Sequence, residues 1–243
     1  MLILGLDTSS PSGSIAVLRD NTIIASAAAW TGEIYSSRIF RQVESIFGEF
    51  SIGMPDIDLF AVAVGPGSFT GLRVGLTAVK AWSEVYRKPI AAISALEAVA
   101  SQSVSAASIL VPVLDARRAQ VYFAVYKRSP VSTASILQLE GTELVSTPHE
   151  FLELLDSRHD PDTMQIVTPV PELITTALSR YETTHANPHD LMVEEVSSML
   201  APQIAKLGAS HAQRGRLVDS LTLDANYVRR SDAELHWKAP AGS

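Results

Sequence analysis

Short apolar runs separated by turn-forming residues alternate with amphipathic segments over the first hundred residues. The apolar runs predict strands over residues 2–6, 14–18, 22–30, 59–64 and 90–93. Apolar residues at three- and four-residue spacing predict a helix over 36–50, and Ser68 is a good N-cap for a second helix that runs to about residue 87. A shorter helix is predicted over 95–101.

The same order of elements begins again after a Ser- and Ala-rich stretch at 101–108. Asp115 lies 108 residues after Asp7. In both halves an apolar strand precedes the Asp, and a second apolar strand returns eight residues after it. This equal spacing indicates one module used twice.

The second half contains a similar series of predicted elements. These are strands over 109–114, 120–126, 136–145 and 165–168, and helices over 148–158, 171–181 and 194–214. The last of these helices, over 194–214, is a candidate for an element that crosses back and packs against the first half. Two βββαβα-like halves predict an α/β protein with two lobes and a cleft between them. We therefore divide the chain into residues 1–105, residues 106–230 and a tail over 231–243.

The composition fits a globular protein. The chain has 243 residues, of which 47% are hydrophobic and 19% are charged, and this is enough apolar material for a core. The chain has no Cys, which excludes disulfides, thiolate zinc sites and a Cys nucleophile. No apolar run is long enough for a bilayer, and the first residues lack the basic flank of a secretory signal. We expect a cytoplasmic protein without membrane contact.

The net charge of −7 argues against tight, autonomous binding of nucleic acid, because an acidic chain repels phosphate backbones. A local basic patch stays open as an alternative. Lys127-Arg128 and Arg229-Arg230 are two dibasic pairs that could form one.

The Gly-rich run at residues 65–75 follows a predicted strand and opens a predicted helix. It fits neither a Walker A loop, which needs Lys after its last Gly, nor a dinucleotide fingerprint, which needs Gly at position 70. Gly67, Gly71 and Gly75 share one helix face. Glycine costs ~1 kcal/mol relative to Ala inside a helix, so a close neighbour is expected on this face. Packing within the chain and docking of a partner's helix fit the spacing equally well.

Asp7 with Thr8 and Ser9 forms a second candidate site. An Asp at a strand end followed by hydroxyls is how actin-like ATPases hold metal and phosphates, and Asp115 with Arg117 would face it from the second lobe. The residues alone favour a simpler interpretation, in which both Asp side chains cap turns.

Other catalytic patterns are weak. His185 and His189 have metal-ligand spacing, but Pro188 interrupts the helix that would align them, and the Glu of a zincin is missing. Ser68 lacks the second Gly of a nucleophile elbow.

Four motifs together resemble the TsaB (YeaZ) family, from the glycoprotease-like branch of the actin/Hsp70/sugar-kinase fold. They are Leu-Gly-Leu-Asp-Thr-Ser at 4–9, Gly-Pro-Gly-Ser-Phe-Thr-Gly-Leu-Arg-Val-Gly at 65–75, Asp-Ala-Arg at 115–117 and Tyr-Val-Arg-Arg-Ser-Asp-Ala-Glu at 227–234. The resemblance covers nearly the whole chain, and the second motif is highly specific. It implies two duplicated actin-like lobes (the ASKHA, RNase H-like class) with mixed sheets flanked by helices.

The resemblance also implies a function. Members of this family support TsaD, a catalytic paralogue, and with the ATPase TsaE they serve transfer of a threonylcarbamoyl group to the anticodon-adjacent adenosine of tRNA. The chain is then a non-catalytic scaffold that binds TsaD or a second copy of itself, meets tRNA only through the complex and binds no cofactor tightly. ATP and metal are used by the partner subunits.

The resemblance places the partner surface on the first two long helices. The implied partner-binding residues are Ser36, Ile39, Phe40, Val43, Phe47, Gly67, Ser68, Phe69, Thr70, Gly71, Arg73, Val74, Gly75 and Ala78. The implied nucleotide-site residues are Asp7, Thr8, Ser9 and Asp115, and no metal ligand or catalytic residue is implied.

The chain departs from the family pattern at two places. Ile34-Tyr35-Ser36 stands where Glu-His-Ser-like residues are expected, and Gln120 replaces the usual Glu before Val-Tyr. Both changes remove polar groups from the cleft, which puts a nucleotide site in doubt. A free-standing metallopeptidase or ATP-dependent enzyme of this fold remains the alternative, as does an interaction protein outside tRNA modification.

Overall fold

The first lobe is built on a five-stranded mixed sheet. The computed structural model describes residues 1–11, 13–28, 35–129, 136–157, 164–182 and 191–229. The strands are β1 (Leu2–Asp7), β2 (Ser14–Arg19), β3 (Thr22–Ala28), β4 (Leu59–Gly65) and β5 (Ile90–Ser94), in the order β3-β2-β1-β4-β5. β1–β2 and β2–β3 are antiparallel, whereas β1–β4 and β4–β5 are parallel. The helices are α1 (Tyr35–Phe50), α2 (Phe69–Tyr86) and α3 (Ala95–Ala100).

The second lobe repeats this sheet strand for strand. Its strands are β6 (Ile109–Arg117), β7 (Gln120–Ser129), β8 (Ile136–Ser146), β9 (Met164–Thr168) and β10 (Met192–Glu195), in the order β10-β9-β6-β7-β8. Pairing is again antiparallel on one side of the first strand and parallel on the other. Its helices are α4 (Pro148–Asp156), α5 (Pro171–Glu182) and α6 (Ala201–Gln213). The matching topology confirms the duplication that the spacing of Asp7 and Asp115 predicts.

The third helix of each half lies between the two sheets. α6 packs against β1, β2 and β4 of the first sheet, and α3 packs against β6 and β7 of the second. A central apolar core joins them, with Ile3 and Ala91 from the first sheet, Leu110 and Tyr122 from the second and Ile204 from α6. The last helix therefore does cross back to the first half. The division at residues 105/106 stays a prediction.

Two further cores cover the outer faces of the sheets. α1 and α2 lie over the first sheet, and α4 and α5 lie over the second. None of the described helices is long and apolar enough to span a membrane.

The prediction of one helix over 194–214 is wrong at its start. Val193, Glu194 and Glu195 pair with β9 as a parallel strand, and the helix begins only at Ala201. Pro202 stands in the first turn, where a missing N–H costs nothing, and this is a typical helix start. The helical spacing of apolar residues extends across this strand, because a short apolar segment fits the period of a strand as well as that of a helix. The tail over 231–243 lies outside the described residues.

Candidate functional site

The turn after β1 is sealed inside the first lobe. Asp7, Thr8 and Ser9 are all buried. Asp7 Oδ1 accepts hydrogen bonds from the backbone N–H and the hydroxyl of Ser9, at 2.8 and 2.6 Å. Burial raises the pKa of the Asp7 carboxyl, although the hydrogen bonds from Ser9 and Ser10 act in the opposite direction.

The glycine face of α2 packs against this same turn. A Cβ on Gly71 would lie 2.0 Å from the Thr8 carbonyl oxygen, and one on Gly75 would lie 2.3 Å from Thr8 Oγ1. A Cβ on Gly67 would lie 2.4 Å from the Ser9 carbonyl oxygen. The Ser68 N–H donates to that oxygen at 2.7 Å. The glycines therefore let the helix approach its own chain, which favours packing within the chain, and their part in partner binding stays a prediction.

The inner face of α1 is also core. Ile39, Val43 and Phe47 are buried in the apolar cluster over the first sheet, and Ala78 of α2 is buried too. This burial does not favour their predicted role in partner binding, which stays a prediction. Helical periodicity identifies a buried face but cannot say whether it faces the chain's own sheet or another molecule. The side chain of Ser36 lies outside the described residues.

The opposite side of α2 is open. Thr70, Val74, Thr77, Ala81 and Val85 recur at three- and four-residue spacing, and all but the half-buried Val74 are exposed. Val85 is 71% exposed. We call this stripe, together with Phe40 of α1, the α2 outer face.

Phe40 connects the outer face to α1. Its ring is 49% exposed and meets Trp82 edge-on, with ring centroids 6.0 Å apart. The predicted set contains Phe40, Thr70 and Val74 but misses Thr77, Ala81 and Val85. Continuing the Thr70 and Val74 face by helical steps would have found them.

Asp115 lies near the end of β6, just before the turn into β7, and its side chain is 32% exposed. Its carboxylate accepts from the Arg117 backbone N–H at 2.7 Å and pairs with the Arg117 guanidinium at 3.4 Å. These contacts make it a turn-capping residue, like Asp7. A nucleotide held by Asp7, Thr8, Ser9 and Asp115 stays a prediction, and the described contacts of Asp7 and Thr8 do not favour it.

A polar cavity of about 530 Å³ lies where both lobes meet, and sequence reasoning missed it. The Ser94 hydroxyl at the end of β5 donates to Glu143 of β8, and the Asn226 side chain donates to the same carboxylate. Burial raises the pKa of Glu143 and also that of the neighbouring Tyr126 phenol, well above their ordinary values. No sequence spacing links these residues, because they come from separate strands and the C-terminal segment.

A buried histidine closes the other side of this cavity. His211 of α6 places Nε2 3.5 Å from Glu97 Oε1 of α3, and the atom has no hydrogen-bond partner. Glu97 and His211 also line an adjoining cavity of about 430 Å³. Among the described residues, no three His, Cys, Asp or Glu side chains converge as a metal site would require. His185 and His189 lie outside them.

The segment after α6 connects the two lobes. The Asn226 backbone N–H donates to the Val64 carbonyl oxygen at 2.7 Å, and Gly65 leaves room for the Asn226 carbonyl. Tyr227 then stacks on Phe69 of α2. We call residues 223–229 the strap.

Residues 31–151 match the family model of TsaD, the tRNA N6-adenosine threonylcarbamoyltransferase. The chain is 36% identical to the tRNA threonylcarbamoyladenosine biosynthesis protein TsaB of Bacillus subtilis over 161 residues, which are 66% of this chain and 69% of that protein. The chain belongs to the TsaB family. The Escherichia coli TsaB is 31% identical over 64% of this chain and 68% of that protein.

Solved structures show the fold of this TsaB-family chain. YeaZ from Pseudomonas aeruginosa matches with a TM-score of 0.73 at 22% identity, over 93% of this chain and 99% of that chain. A ROK family protein from Streptococcus pneumoniae matches with a TM-score of 0.52 at 10% identity, over 88% of this chain and all of that chain. The predicted class of two duplicated actin-like lobes is confirmed.

Proposed function

We propose that the chain acts in tRNA threonylcarbamoyladenosine biosynthesis as a non-catalytic subunit that docks on a TsaD-like protein. The observation that carries this proposal is its identity to proteins named for that process, 36% with the Bacillus subtilis TsaB. The match of half the chain to the TsaD family model supports a paralogue of the transferase as the partner.

Docking uses the α2 outer face. This face combines exposed apolar side chains, Phe40 and Val85, with the small residues Thr77 and Ala81. Aromatic and aliphatic anchors beside small residues suit a closely packed helix interface, and burying them stabilises a complex by ~25 cal/mol per Å² before association costs. A second copy of this chain is the competing occupant of the same face.

Metal and ATP chemistry belongs to the partner subunits, the TsaD-like protein and a TsaE-like ATPase. The buried, hydrogen-bonded Asp7 supports this division, because its carboxylate is already used by Ser9. Transfer of the group to tRNA then takes place in the cytoplasm, on the complex.

Reconstitution tests the proposal. Purified TsaD-like and TsaE-like partners, unmodified tRNA, threonylcarbamoyl-adenylate and ATP are incubated with and without this chain, and modified adenosine is measured by mass spectrometry. We expect modification only when the chain is present and co-elution with the TsaD-like protein. Full modification without the chain, or turnover of ATP or peptide by the chain alone, contradicts the proposal.

A further inference from the structure

Hydrogen bonds connect three separate elements that carry arginines, namely α2, the strap and the turn between β6 and β7. Arg73 of α2 donates from Nε to the Tyr227 hydroxyl at 3.2 Å. Two residues further along the strap, Arg229 donates from Nη1 to the Ala116 carbonyl oxygen at 2.8 Å. Ala116 directly precedes Arg117 and Arg118 in the turn between β6 and β7. These contacts link the three elements that carry Arg73, Arg117, Arg118 and Arg229, and we call these four residues the arginine strip.

Two aromatic rings accompany the strip. Phe69 and Tyr227 are stacked with centroids 4.4 Å apart and planes 7° apart. The Arg73 guanidinium lies 5.7 Å from the Phe69 centroid and 6.0 Å from that of Tyr227. Tyr227 remains 40% exposed. Arginines beside exposed aromatic rings are the pairing that proteins use to hold phosphates and to stack unpaired bases.

The backbone of the turn between β6 and β7, which carries Arg117 and Arg118, is strained. Arg117, Arg118 and Ala119 have φ angles of 61°, 54° and 54°, and three consecutive non-glycine residues in the left-handed region are strained. The side chain of Arg117 in this turn is 67% exposed. Asp115 pairs with Arg117 and offsets one of the positive charges. Such strain is characteristic of functional segments.

We propose that the arginine strip binds the phosphate backbone of RNA, with Tyr227 available for an unpaired base. This inference rests on the proposed function, which makes tRNA the RNA concerned. The net charge of −7 repels a polyanion over most of the surface, so binding is local and weak on its own, through about three phosphates. An acidic peptide would satisfy the arginines but would leave the stacked rings unused, and the observations therefore favour RNA.

Fluorescence anisotropy with a labelled transcript of a tRNA that reads codons beginning with A tests the strip. The full-length chain is titrated at several salt concentrations. The variant Arg117→Gln/Arg118→Gln lies in an exposed turn, and the matched control Arg19→Gln/Arg180→Gln removes the same charge from other exposed positions. We expect the turn variant to lose about tenfold in affinity and to flatten the salt slope by about 1.5, because each phosphate contact contributes roughly 0.7–0.9. The control stays within about twofold of the wild-type chain.

A second variant tests the proposal independently of the turn, in case the two arginine substitutions change the conformation of the turn. Tyr227→Leu removes the exposed ring and keeps all four arginines, so we expect weaker binding with an unchanged salt slope. Equal losses in the turn variant and its control overturn the proposal, as does wild-type binding too weak to detect at the lowest salt. A poly-glutamate peptide that binds more tightly than the tRNA, and loses its affinity in the turn variant, assigns the strip to a protein partner and also overturns it.

The outcomes separate this inference from the proposed function. If the wild-type chain fails to bind tRNA but restores modification in the reconstituted system, the strip is refuted and the proposed function stands. If the strip variants lose tRNA binding but the wild-type chain does not support modification, the strip stands and the proposed function is refuted.

Discussion

The carbonyl oxygen of Thr8 lies 2.0 Å from the point that a Cβ on Gly71 would occupy. A turn of the first strand pair and the second long helix therefore touch backbone to backbone. This contact joins the two most recognisable motifs of the chain, the Asp-Thr-Ser turn and the Gly-rich run. In the first lobe these two motifs pack directly against each other.

Gly71→Ala is expected to destabilise the fold by about 3 kcal/mol, because its Cβ overlaps a backbone oxygen that cannot rotate away. Chemical denaturation followed by circular dichroism measures the free energy of unfolding. Gly48→Ala is the matched control, since Gly48 lies in helix α1 with nothing within 4 Å of its Cβ position. Its expected effect has the opposite sign, a gain of up to about 1 kcal/mol from helix propensity. A Gly71→Ala protein as stable as wild type would contradict the observed packing.

The partner contact should depend on the α2 outer face instead. Val85→Lys places a charge on this face and is expected to weaken binding to the TsaD-like protein, or to a second copy, by at least tenfold, about 1.4 kcal/mol. Met192→Lys is the control, since Met192 is 67% exposed and lies on β10 at the outer edge of the second sheet. Isothermal titration and size-exclusion chromatography measure the two equilibria, and thermal melts should show both variants folded. Equal affinities for the two variants would remove the outer face from the interface.

Much of this architecture could be predicted from the sequence, because local signals determine it. Ser68 was expected to cap α2, and its hydroxyl accepts from the Gly71 N–H at 3.2 Å. The spacing of Asp7 and Asp115 predicted two equivalent sheets, and both Asp residues do cap turns, as the residues alone favoured.

The candidate site was less predictable, because what covers a helix face is decided by distant parts of the chain. Periodicity placed Gly71 and Gly75 on one face but could not reveal that Thr8 fills it. The stack of Tyr227 on Phe69 joins residues that are 158 positions apart, with no sequence pattern that connects them.

Glu143 should make stability depend on pH. Burial raises the pKa of its carboxyl in the folded protein, so the folded state holds the proton more tightly than the unfolded state. Its contribution to stability is complete below the unfolded pKa of about 4.3 and is lost as pH rises through the folded pKa. Glu143→Gln is therefore expected to be more stable than wild type near pH 7, and the difference should shrink as the pH falls towards 4.

Denaturation at several pH values measures this difference. Glu49→Gln provides the control, since Glu49 is exposed on α1. A Glu143→Gln protein that is less stable than wild type at neutral pH would mean that the charged carboxylate is the form that Ser94 and Asn226 stabilise.

A substitution of Thr8 tests whether the turn after β1 serves packing alone or also binds a ligand. Thr8 Oγ1 has no hydrogen-bond partner and lies 2.3 Å from the point that a Cβ on Gly75 would occupy. Replacing it with an apolar group of the same shape removes an unsatisfied polar atom, so Thr8→Val should stabilise the fold by about 1–2 kcal/mol. Thr77→Val, on the exposed face of α2, is the control and should change stability by less than about 0.5 kcal/mol. If the hydroxyl is kept for a nucleotide instead, Thr8→Val will abolish threonylcarbamoyl transfer in the reconstituted complex even though the fold is more stable; if it serves packing alone, transfer will be unchanged.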